Sequence, residues 1–146
     1  MAVEYRSPDI RNVVILGHGG SGKTTLTDAL CYISGSTTRR GKVENGTSHT
    51  DFTQEEIDHG ISINLAVARA EWMDTKLNLI DTPGYLDFFG EVMAGVRVAD
   101  GALVVVGATT GVEVGTERCW RAAEARGLPR MVFISMMDRE LSLIHI

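Results

Sequence analysis

Eight consecutive residues, Gly17-His18-Gly19-Gly20-Ser21-Gly22-Lys23-Thr24, constrain this chain more than any other part of it. Before them stands Asn12-Val13-Val14-Ile15-Leu16, apolar without a break after its first residue, which reads as a strand buried on both faces. After them, Thr24 to Ile33 places Leu26, Ala29, Leu30 and Ile33 at the spacings of three and four that mark an amphipathic helix. Strand, glycine turn and helix form the context in which Gly, four residues and Gly-Lys-Ser/Thr wraps phosphate. Consecutive N–H groups in such a turn point inward as an anion nest, and the helix that follows adds the positive end of its dipole. A Cβ at the glycines would block both the turn and the close approach of the ligand. Lys23 is expected to reach the β- and γ-phosphates and the Thr24 hydroxyl to coordinate Mg²⁺, with Thr25 beside them.

Downstream the chain alternates between the two periods. Residues 34–60 carry little periodicity and make a connection far longer than usual in a compact domain, which marks it as functional or mobile. Ile61, Ile63, Leu65 and Val67 alternate, so residues 61–72 are expected to form a half-exposed strand that turns back near Met73-Asp74 into 76–80. Leu86 to Ala99 and Val114 to Arg126 read as helices, Gly101 to Val106 as a buried strand and Arg130 to Ile134 as another strand. The expected fold is α/β, of the P-loop NTPase kind. Its sheet is mostly parallel, with helices on both faces, one antiparallel edge strand, and the last strand and helix missing. No repeat interrupts the order, and 146 residues support one domain.

Three further segments carry chemistry. Asp81-Thr82-Pro83-Gly84 follows a strand, where Asp81 is expected to hold Mg²⁺ through water and the Gly84 N–H to meet the γ-phosphate, so that loss of that group releases the loop. Ser62, read as the start of the second strand, offers a hydroxyl to the same metal when the long loop is ordered. Ser135-Met136-Met137-Asp138 puts a carboxylate just past a strand end, where it can accept hydrogen bonds from guanine N1 and N2; adenine offers no such donor pair.

In this order and spacing the four segments resemble the GTP-binding domain of translation elongation factor G, and more closely its elongation-factor-G-like paralogues. The resemblance covers about 12–140, leaving 1–140 as an incomplete GTP-binding domain of a longer protein. Residues 141–146 resemble one translated frame of a transposon-end adapter used in DNA libraries and are expected to be a non-native tail. The resemblance implies GTP as substrate, GDP as product, Mg²⁺ as cofactor, and the ribosome, through rRNA and ribosomal proteins, as the partner of the full-length parent. Two departures bear on activity. Where the main family carries a water-orienting His, this chain has Tyr85, whose phenol is a poor base at neutral pH although it can position a water. The Asn-Lys-x-Asp guanine motif reads Ser135-Met136-Met137-Asp138, without the amide and the Lys stem. Gly20 and His59 also depart from the usual Asp and Arg. Lys23 and Gly84, with Tyr85, are the expected catalytic group.

Composition narrows the setting. A net charge of −5 opposes a surface that tracks nucleic acid throughout, and no DNA partner is expected. Cys31 and Cys119 lie in apolar helical contexts and read as reduced buried thiols. The beginning of the chain lacks the apolar stretch of a signal peptide and the longest apolar runs are strand-sized, so a cytoplasmic, soluble monomer is expected, with no membrane partner. Two alternatives stay open: a GTP-binding, ribosome-associated switch with little hydrolysis, and a P-loop ATPase.

Overall fold

The structure, a computed structural model, describes residues 5–140; the tail 141–146 lies outside them. Five strands form one sheet in the order β2-β3-β1-β4-β5. They are β1 (Ile10–Leu16), β2 (Ala66–Trp72), β3 (Thr75–Asp81), β4 (Gly101–Gly107) and β5 (Arg130–Ser135). Only the β2–β3 pairing is antiparallel; β1 pairs in parallel with β3 and β4, and β4 with β5. The expected mixed sheet with an antiparallel edge strand is thus present.

Side chains of β1 alternate between two cores, as the two-residue period requires. Val14 and Leu16 face Val92 and Val96 of α3 (Phe89–Val98) and Cys119, Ala122 and Ala123 of α4 (Val114–Ala125). Val13 faces the opposite layer, where Leu79 and Ala70 pack with Cys31 of α1 (Lys23–Ile33). Helices therefore cover both faces, and the central position of β1 explains its unbroken apolar run. Val14, Ile15 and Leu16 are fully buried, each stabilising the fold by roughly 1.5–3 kcal/mol. Both cysteines are free and buried, and burial pushes both thiols up.

Three expectations need correction. The second strand begins at Ala66, not Ile61, and Ser62 lies outside it. The Ile63 and Asn64 N–H groups donate to the Glu56 carboxylate and the Leu65 N–H to Glu91, so the donors a ladder would use are held by side chains. The long connection contains a short helix, α2 (Gln54–His59), started by a capping box between Thr53 and Glu56. Finally, the helix expected from Leu86 begins at Phe89, after a single 3₁₀ turn over Leu86–Phe88.

Candidate functional site

The carboxyl ends of β1 and β3 and the loop after β5 open onto one cleft of about 1140 Å³. Its lining includes Lys23, Thr24, Ser62, Gly84, Tyr85 and Asp138, so the four segments singled out in the sequence share one space. Gly19, Gly20, Gly22, Thr25, Ser135, Met136 and Met137 line it as well.

The glycine turn leads into α1 through Gly22, whose φ of 91° is left-handed and strained for any side chain. No side chain caps this helix, which leaves its first N–H groups directed toward the turn. Gly17 lies against the Val105 carbonyl, and Ser21 is buried. Lys23 is buried too, and its ammonium donates to the His18 carbonyl at 2.9 Å. Burial pulls its pKa down, opposed by Asp81, Cys119 and Asp51.

Around Thr24 gathers a cluster of hydroxyls and carboxylates. The Thr24 and Ser62 hydroxyls are 3.1 Å apart, and Ser62 donates to Asp51 at 2.7 Å. Thr50 donates to Asp81 at 2.8 Å. Burial raises the Asp81 pKa to about 6, although the nearby Thr24 and Thr50 hydroxyls and the charge of Lys23 act against it. Burial raises Asp51 as well, opposed by the Ser62 hydrogen bond. Asp81 Oδ1 and Asp51 Oδ2 are buried without a hydrogen-bond partner. Thr50 and Asp51 were not expected here from the sequence: their loop has no periodicity, and only its fold across α1 delivers them.

Asp28 draws that loop inward. It is fully buried on α1 and accepts the His49 N–H at 3.0 Å, while the Gly41 backbone lies against its carboxylate. Glu56, also fully buried, receives N–H groups from Phe52, Thr53, Ile63 and Asn64. Burial alone would raise its pKa, but the donors from Asn64, Thr53 and Ile63 outweigh it and bring it to about 2.

After β3, the buried Thr82 hydroxyl donates to the Ile15 carbonyl at 2.6 Å, tying two strand ends together, and Pro83 is buried beside it. A Cβ on Gly84 would meet Lys23 Nζ and the Gly19 backbone, so this turn touches the glycine loop directly. The Tyr85 ring packs over Gly19 and is 43% exposed. Across the cleft, Ser135 donates to the Ser21 carbonyl at 2.6 Å, linking the loop after β5 to the glycine turn. Met136 takes a left-handed φ of 57°, which turns the chain so that residues 136–138 border the cleft.

Comparison with known proteins agrees with this geometry. The family model described as the elongation factor Tu GTP binding domain matches residues 8–144. This chain belongs to that family. It is 46% identical over 130 residues to elongation factor G 2 of Streptomyces coelicolor, an alignment covering 89% of this chain and 19% of the relative. It is 45% identical over 132 residues to the mitochondrial ribosome-releasing factor 2 of Lodderomyces elongisporus, covering 90% of this chain and 16% of the relative. A crystal structure of a Thermus thermophilus protein superposes with a TM-score of 0.83 at 50% identity, covering 86% of this chain and 19% of that one. The chain thus spans less than a fifth of the length of these relatives. No helix among the described residues is long and apolar enough to cross a membrane.

Proposed function

We propose that this chain is the nucleotide-binding part of a ribosome-dependent GTPase of the elongation factor G type, acting in translation. The observation that carries the reading is the meeting, in one cleft, of an uncapped α1 N-terminus, the buried Lys23 and the buried Asp51, with the buried Asp81 close to both and each carboxylate keeping an unpartnered oxygen. The α1 N–H groups and Lys23 receive the phosphates, and the Gly84 N–H senses the γ-phosphate. Mg²⁺ fits the adjoining cluster: hard oxygen donors from Thr24 and Ser62, with Asp81 and Asp51 supplying unpartnered carboxylate oxygens through water. When bound, the ion would neutralise charge on the phosphate oxygens. Lys23 stabilises that charge from the protein side, and Tyr85 positions a water. Ser135-Met136-Met137-Asp138 borders the base, with Asp138 selecting guanine. The ribosome, a cytoplasmic setting and a monomeric state belong to the same proposal. A mitochondrial relative leaves an organelle ribosome as a variant of it.

Ribosome-stimulated GTP turnover by the full-length gene product is the test. It is expected to exceed that of a Lys23→Ala variant by roughly two orders of magnitude or more; equal rates would sink the reading. GTP is expected to outcompete ATP, and equal affinity would move the chain to the ATPase class. Tyr85 gives a second reading specific support, because its ring rests on Gly19 where the family resemblance implies a His. Slow turnover unchanged in Tyr85→Phe, with tight GTP binding, would make the protein a binding switch.

A further inference from the structure

The phosphate loop is braced by a contact between two residues that do not line the cleft, His18 and Glu113. His18 presents its carbonyl inward, accepting from Lys23 Nζ at 2.9 Å and from the Ser21 N–H at 3.3 Å. Its imidazole points the other way, toward the start of α4. There His18 Nε2 lies 3.5 Å from Glu113 Oε1, with both side chains about 30% exposed. His18 Nδ1 is buried without a partner. Gly115 fits against the ring so closely that a Cβ there would come within 2.5 Å of Nδ1.

Glu113 is itself held in place. It is the N-cap of α4, in a reciprocal capping box with Thr116, and its Oε2 accepts from the Thr110 hydroxyl at 3.0 Å. The carboxylate also sits beside the first turn of α4, at the positive end of the helix dipole. Lys23 of α1, Cys119 of α4, whose thiol is near Gly17, and Tyr85, whose ring packs over Gly19, are further ionisable groups beside this part of the loop.

We propose that Glu113 is a positioning residue for the phosphate loop: from the α4 N-cap it holds the His18 side chain, and through His18 it sets how long a nucleotide is retained. The inference rests on the phosphate-loop reading above. Through it, the α4 N-terminus influences nucleotide release without touching the ligand.

The test measures GDP and GTP dissociation from the full-length gene product with fluorescent nucleotide analogues. Glu113→Ser keeps a good N-cap but is too short to reach His18. It is expected to speed release by roughly threefold or more with the melting temperature nearly unchanged. Glu113→Gln keeps an oxygen at the same reach and is expected to restore slow release. His18→Ala is expected to match Glu113→Ser, and the double variant to be no faster than either single one. Release from Glu113→Ser at the parent's rate, a Gln variant as fast as the Ser variant, or effects that multiply in the double variant would each overturn the proposal. If the unmodified protein retains no nucleotide at all, the phosphate-loop reading itself fails, and this inference with it.

Discussion

Two buried carboxylates do opposite work for stability. Glu56 is held by N–H donors that prefer it ionised, so its pKa is depressed to about 2. Its contribution is complete above the ordinary glutamate range and is lost as pH falls from about 4.5 toward 2. Glu56→Ala strands several buried donors and is expected to cost roughly 2–3 kcal/mol, read by chemical denaturation at pH 7. The loss should shrink when the same pair is compared near pH 2. Asp81 behaves in the reverse sense. Its pKa is raised to about 6, so folding penalises its charge, and stability declines as pH rises from the ordinary aspartate range through 6. Asp81→Asn is therefore expected to leave the nucleotide-free protein as stable as the parent or about 1 kcal/mol more so. The same variant should lose Mg²⁺-dependent nucleotide retention. A strongly destabilised Asn variant in metal-free buffer would contradict this division between stability and function.

At the level of elements, the β2–β3 hairpin carries a visible strain. Its two-residue turn holds Met73 at φ 47° and Asp74 at φ 59°, both left-handed and neither of them glycine. Replacing the pair by Asn-Gly suits a two-residue turn with positive φ at both positions, and should stabilise the protein by about 1 kcal/mol, measured as a rise in denaturation midpoint. The position of this turn was legible from alternation on either side of it, as was β1 from its apolar run and the turn between β1 and α1 from its glycines. The stretch at Ile61, Ile63 and Leu65 misled for a definite reason. Alternation reports which side chains can face a core, but not whether backbone donors are free to pair, and here Glu56 and Glu91 take them. The capping box at Thr53 and Glu56 is the sequence signal that marks the start of α2. Thr50 and Asp51 were not readable: their place beside Asp81 and Ser62 depends on Asp28, more than twenty residues away, drawing the loop inward.

For the molecule as a whole, the sheet is unevenly protected. β1 is covered on both faces, whereas Met131, Val132, Phe133 and Ile134 of β5 are all at least 40% exposed, and β5 pairs only with β4 among the described residues. An apolar strand with a free edge invites pairing with another copy. The 146-residue chain alone is expected to self-associate with rising concentration, and Val132→Lys to reduce that association in light scattering; equal scattering from both would argue against the edge as its cause. The carboxylate of Glu56 shapes the dynamics of the loop in a further way. It gathers the amides at both ends of residues 52–64 onto one pair of oxygens, so these amides share a single fastening independent of the strand ladder. Their protons should exchange with solvent together, as one kinetic class, and faster than those of β3. The loop proposed to sense the ligand can then let go repeatedly while the platform beneath it stays whole.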